Sequence, residues 1–213
     1  MDTHKNRLCD MVAWAHELLA EVLVPGDLAI DLTAGRGHDT LWLAQQVDAE
    51  HSGIVLAFDI QQRAIASTRA HLSSAGYSAV QLEKGQNPGE HGVYLFQCCH
   101  SQLAEHLQLV QNTAPAKQLK VVIANFGYLP GSDHATTTTA ATSCAAIEPA
   151  CQHLANGGRI ALVLYTGHNG AHEECEAIEA MCNQLPAQRW NVVRFQPVNR
   201  TKAPYLLLLE KKN

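Results

Sequence analysis

The chain has 213 residues, 46% of them hydrophobic, with a net charge of −5 and a sequence long enough for one domain with a full core. No apolar run reaches the ~18 residues that span a membrane, and the opening Met-Asp-Thr-His-Lys-Asn-Arg lacks the apolar centre of a secretory signal. These features argue against an integral membrane or exported protein and predict a cytoplasmic one, in which the seven cysteines are free thiols rather than bridges.

The N-terminal 24 residues read as a helix, because Leu8, Met11, Val12, Ala15, Leu18, Leu19 and Val22 recur at helical spacing before Pro25-Gly26-Asp27 breaks the pattern. A strand over 28–32, a helix over 38–47, a strand over 53–58 and a helix over 61–75 follow. Residues 76–92 hold four glycines and a proline among few apolar residues. They read as an exposed excursion with a short extended piece at Ala79 to Leu82. A strand over 93–97, a helix over 101–111 and a near-continuously apolar strand over 119–124 come next, the last as expected of a strand covered on both faces. A long loop from Asn125 to about Ala135 leads to a helix within 137–155, closed by Asn156-Gly157-Gly158. A strand over 159–165, a helix over 171–184 and two strands at 190–196 and 205–210 complete the chain. Alternating strands and helices predict a single α/β domain over 1–213, with a mostly parallel, seven-stranded sheet ending in an antiparallel pair.

In such sheets, ligands bind at the carboxyl ends of the strands. Here those ends are Asp31, Asp59, Cys98-Cys99-His100, Asn125-Phe126-Gly127-Tyr128 and Tyr165-Thr166-Gly167-His168. Each is polar or glycine-bearing after an apolar strand. Asp31 precedes the turn Gly35-Arg36-Gly37-His38-Asp39-Thr40, and Asp59 lies where an acid accepts hydrogen bonds from a ribose. The turn lacks the third small residue of a dinucleotide fingerprint, and Asp39 would repel a pyrophosphate. Asp31 could instead attract an ammonium. The acid–glycine–acid layout thus fits S-adenosylmethionine, which carries an ammonium, a sulfonium and a ribose but no phosphate. A bare glycine turn with a helix-capping Asp39 is the competing reading.

Among the remaining features, the twelve histidines are scattered, with no zinc-protease spacing, so no metal is expected. Cys144 and Cys151, like Cys175 and Cys182, are seven apart and read as packing residues. From Asn183 onward six basic residues face Glu210 alone. Arg194, Arg200 and Lys202 in this region are candidate phosphate contacts, with an ordinary solvated edge as the alternative.

The chain resembles the Rossmann-like bacterial S-adenosylmethionine-dependent methylases of the tRNA wobble uridine, a family earlier labelled rRNA methylases. The resemblance is carried by Asp31 through Leu43, Phe58-Asp59-Ile60-Gln61, the loop Asn125-Phe126-Gly127-Tyr128-Leu129-Pro130-Gly131, Tyr165-Thr166-Gly167-His168, Pro204-Tyr205 and Glu210-Lys211-Lys212. It implies methyl transfer to the amine of 5-aminomethyl-(2-thio)uridine, with the tRNA anticodon stem-loop as partner, and a homodimer. It further implies cofactor contacts from the Gly35–Asp39 turn, Asp59, Gln61, Cys99 and His100, with Asn125, Tyr128, Tyr165 and His168 facing the reacting end. Arg36 stands where the family usually has Asn, and Cys99 where it usually has Ser. His168, Tyr128, Tyr165 and Asp133 are candidate proton acceptors. Competing functions are methylation of rRNA, a small molecule or a protein, or a nucleoside-binding or NAD protein without methyl transfer.

Overall fold

A computed structural model describes residues 7–127, 137–167, 170–200 and 202–213. Its elements in chain order are α1 (Met11–Ala20), β1 (Leu28–Asp31), α2 (His38–Gln46), β2 (Ile54–Phe58), α3 (Gln62–Ser74), β3 (Ala79–Gln81), β4 (Gly92–Phe96), α4 (Leu103–Thr113), β5 (Leu119–Phe126), α5 (Ala140–His153), β6 (Leu154–Leu164), α6 (Ala171–Asn183), β7 (Trp190–Phe195) and β8 (Tyr205–Lys211). The strands form one sheet in the order β3-β4-β2-β1-β5-β6-β8-β7. β8 runs antiparallel to both β6 and β7, and the other pairings are parallel.

Strand alternation distributes the core to two faces. Leu28, Ile30 and Leu32 of the β1 region join Phe58, Phe96 and Leu162 beneath α4, α5 and α6. Ala29, Val55, Ala57, Val121 and Ala161 join α1, α2 and α3 on the opposite face. Each fully buried Leu or Ile contributes about 1.5–3 kcal/mol relative to exposure. The central strands β1 and β2 are buried along their whole length, as their helix-covered faces require.

Three expectations are corrected. The sheet has eight described strands rather than seven, because Ala79–Gln81 in the 76–92 excursion pairs with β4 and extends the edge. The N-terminal helix spans only Met11–Ala20; Asp10 caps it by accepting from the Ala13 amide at 3.1 Å. Finally, α5 ends at His153, ahead of Asn156-Gly157-Gly158, which lie in a bulged start of β6. Its C-terminal carbonyls are met from a distant strand. The buried Lys211 ammonium donates to Leu154 O at 2.7 Å, Cys151 O at 3.2 Å and Gln152 O at 3.4 Å. Arg159 similarly binds Glu210 at 2.9 Å and Glu21 at 2.7 Å, joining β6, β8 and the end of α1.

Candidate active site

The carboxyl ends of β1, β2 and β5 open onto a cavity of about 470 Å³. Its wall contains Gly35, Arg36, His38 and Asp39 from the turn after β1, Phe58, Asp59, Ile60 and Gln61 from the end of β2, Cys99 and His100 from beyond β4, and Asn125 and Gly127 from β5. Leu32, Thr33 and Ala34 after β1, Tyr165 just beyond β6, Val12 of α1 and Thr137, Thr138, Thr139 and Thr142 at the start of α5 complete it.

The turn is shaped by its glycines. Gly35 and Gly37 have φ of 54° and 83°, a region that favours glycine. A Cβ on Gly37 would sit 2.8 Å from Thr68 Cα, so this glycine also lets α3 approach. Asp59 locks the turn to the end of β2. Its carboxylate accepts from the Gly35 N–H at 3.1 Å and the Gln61 N–H at 2.9 Å. Burial raises its pKa, against the lowering effect of those amides. The carboxylate retains lone pairs for a ligand's hydroxyls.

The two other acids of the motif play different roles. Asp31 is completely buried and absent from the cavity wall. It accepts from Thr40 Oγ1 at 2.6 Å and the Thr33 amide at 3.0 Å. Burial, with the neighbouring Asp39 charge adding, pushes its carboxyl up to about 7. Of the two acids, Asp39 and not Asp31 lines the cavity. Alternation explains the difference: Asp31 follows Ala29 onto the face beneath α2. Thr40 and Gly37 also lie behind the wall, as supports of the turn.

Asp39 organises the far side. Its Oδ1 meets His16 Nε2 at 2.6 Å, and its Oδ2 accepts from Asn125 Nδ2 at 2.6 Å. The His16 ring stacks on Trp42, with centroids 4.2 Å apart and planes 3° from parallel. The Asn125 amide N–H donates to Thr33 Oγ1 at 2.8 Å, while its side-chain Oδ1 is buried without a partner among the described residues. His100 Nε2 is likewise buried and unpartnered there. Burial lowers the His100 pKa to about 4, so its ring is neutral at pH 7. Gly127 is in close contact with Tyr165: a Cβ there would meet Tyr165 Cβ at 3.1 Å.

Of the sequence candidates, Gly35, Arg36, His38, Asp39, Asp59, Gln61, Cys99, His100, Asn125 and Tyr165 come together on the cavity wall. Tyr128, His168 and Asp133 lie outside the described residues. Arg194 is engaged elsewhere: it pairs with Glu179 at 2.9 Å and lies 4.0 Å above the Tyr205 ring. Arg200 and Lys202 are exposed in the connection between β7 and β8. Because Leu164 pairs with Tyr205, that connection lies at the same edge of the sheet as the cavity. Val12, His16 and Trp42 were missed by sequence reasoning. His16 flanks the apolar stripe of α1, and a lone histidine there carries no signal of its distant partner.

The cavity suits S-adenosylmethionine. Two carboxylates and an apolar wall of Leu32, Ala34, Phe58 and Ile60 match a cationic nucleoside, and the two orphaned acceptors await donors. The acids disfavour a pyrophosphate. Asp59 would hold the ribose hydroxyls, and Asp39 the cationic end. Sheet and site together define a Rossmann-like, S-adenosylmethionine-dependent methyltransferase.

The comparisons agree. The family described as "Putative rRNA methylase" matches residues 55–211. A chloroplastic tRNA (mnm(5)s(2)U34)-methyltransferase of Arabidopsis thaliana is 37% identical over 201 residues, covering 93% of this chain and 68% of that protein. Among solved structures, a protein of Clostridium thermocellum described as a "putative rRNA-methylase" is 28% identical with a TM-score of 0.80, covering 99% of this chain and all of that one. A Streptococcus mutans methyltransferase in complex with SAH is 28% identical with a TM-score of 0.74, covering 94% and 97%. The chain belongs to this rRNA-methylase-labelled family of methyltransferases.

Proposed function

We propose that the protein methylates the exocyclic amine of 5-aminomethyl-(2-thio)uridine at the wobble position of tRNA, giving the 5-methylaminomethyl form. The observation that carries this reading is the 37% identity, across 93% of the chain, to the Arabidopsis tRNA (mnm(5)s(2)U34)-methyltransferase. The geometry is in accord with it. Asn125 presents a buried carbonyl oxygen, unpartnered among the described residues, beside the cavity, a fitting acceptor for an amine N–H.

When bound, S-adenosylmethionine supplies an electrophilic methyl carbon on its sulfonium. The protein's own residues hold and orient the acceptor. Asn125 Oδ1 takes an N–H of the neutral amine and so directs the nitrogen lone pair. Asp39 places negative charge beside the reacting end. Tyr165, more than a third exposed, forms part of the rim where a base enters. Arg200 and Lys202 at the same edge would meet anticodon-loop phosphates. The family resemblance supports a homodimer.

The test is transfer of labelled methyl from S-adenosylmethionine to three acceptors: tRNA bearing 5-aminomethyluridine, the same tRNA unmodified, and rRNA. Labelling of the first alone supports the proposal. Labelling of rRNA, the activity in the family's description, would replace it.

A further inference from the structure

We infer that His16 and Asp39 are positioning residues that lock the Asn125 side-chain amide in one orientation, holding Oδ1 as the acceptor for the substrate amine. The inference rests on the amine-acceptor reading above and adds two residues from other elements to it.

An asparagine amide is nearly isosteric with its flipped form, so its hydrogen-bond partners decide which end faces a ligand. Asp39 Oδ2 lies 2.6 Å from Asn125 Nδ2. An ionised carboxylate only accepts, so the amide end facing it must be the N–H₂; the flipped form would set two oxygens against each other. His16 fixes the other carboxylate oxygen at 2.6 Å. Facing an acceptor, its Nε2 carries the proton. The ring cannot swing away without leaving its stack on Trp42. A second anchor, the Asn125 N–H on Thr33 Oγ1 at 2.8 Å, fixes the backbone.

The consequence appears at the remaining atom. Asn125 Oδ1 is buried and unsatisfied among the described residues. Leaving an acceptor so disfavours folding unless a ligand donates to it. The charge-assisted bond from Nδ2 to Asp39 also polarises the amide, making Oδ1 a stronger acceptor. Helix α1, which lines the cavity with Val12, thereby also acts on Asn125 through His16, from 23 residues before Asp39 and 109 before Asn125.

The test combines a spectroscopic and a kinetic readout on the whole protein. In ¹⁵N-labelled protein, the Asn125 side-chain amide, assigned by its disappearance in N125D, is expected to show one proton shifted downfield and protected from exchange. D39N offers one N–H₂ and one carbonyl where two acceptors stood, so this signal should move to an ordinary amide position. H16F keeps a ring over Trp42 but has no donor. It is expected to lower kcat about tenfold, with the KM for tRNA and the cofactor affinity changed less than about twofold. H16Q, whose amide N–H can reach the same oxygen, should recover most of that rate. An unshifted, freely exchanging Asn125 amide in the wild type, or full kcat in H16F, would overturn the inference. The amide signal does not depend on turnover: a wild type that shows it but leaves aminomethyl tRNA unmethylated would sink the substrate reading instead.

Discussion

The Asp59 carboxylate accepts the Gly35 N–H at 3.1 Å, joining the turn after β1 to the end of β2 across 24 residues of sequence. One residue thus shapes the glycine turn and faces the cavity. Replacing it with alanine removes a ligand acceptor and frees two amides. Hydrogen bonds to charged groups contribute about 1.5–3 kcal/mol, so D59A should weaken S-adenosylmethionine binding by about 10- to 100-fold in calorimetry. Unchanged affinity would exclude Asp59 from the ribose site.

Asp31 and His100 make opposing contributions to stability in one pH window. Asp31 titrates near 7 in the fold, against an ordinary value of 3.8, because it is buried and beside Asp39. The folded state therefore binds its proton more tightly. The stability this adds is complete below about 4 and lost as pH rises through 7. His100 is lowered to about 4 by burial, so its contribution is present above about 6.5 and lost as pH falls towards 4, by up to about 3 kcal/mol. In denaturant titrations, the advantage of wild type over D31N should grow as pH falls from 7 to 4. The advantage over H100Q should shrink across the same range. Asp59, also raised by burial, adds to the Asp31 side.

Lys211 is the test of a structural role within a motif that carried the family resemblance. Its ammonium closes the C-terminus of α5 through three backbone carbonyls. K211M keeps the aliphatic stem and leaves those carbonyls unpaired. We expect a loss of about 2 kcal/mol in chemical denaturation with cofactor affinity unchanged. A loss of affinity at equal stability would move Lys211 into the site.

The basic residues separate by their surroundings. Arg194 is paired with Glu179 and covers Tyr205, whereas Arg200 and Lys202 are exposed at the cavity's edge of the sheet. The double variant R200A/K202A should weaken tRNA binding and reduce the salt dependence of log K by about 1.5, at roughly 0.7–0.9 per phosphate contact. R194A should leave that slope unchanged and lower the melting temperature. The reverse pattern would place the RNA on the outer face of β7.

Much of this was readable from the chain, because local patterns encode it. Apolar runs ending in Asp31, Asp59 and Asn125 marked the strands, and the glycine turn marked a loop that the structure sets on the cavity wall. The division of labour among the acids was not legible. Asp31 and Asp39 are equally acidic in sequence, and only strand alternation against the start of α2 hides one beneath the helix and sets the other on the cavity wall. Strand β3 was visible only as a short extended piece, since its three residues are never fully buried and pair with β4 alone. The His16–Asp39–Asn125 chain spans three elements, with no local spacing to announce it.

The most direct measurement is nucleoside mass spectrometry of tRNA bearing 5-aminomethyluridine after incubation with the protein and S-adenosylmethionine. The account predicts conversion of the wobble nucleoside to its 5-methylaminomethyl form, one methyl heavier, with every other nucleoside unchanged. An unaltered wobble nucleoside, with S-adenosylmethionine shown to bind, would contradict it.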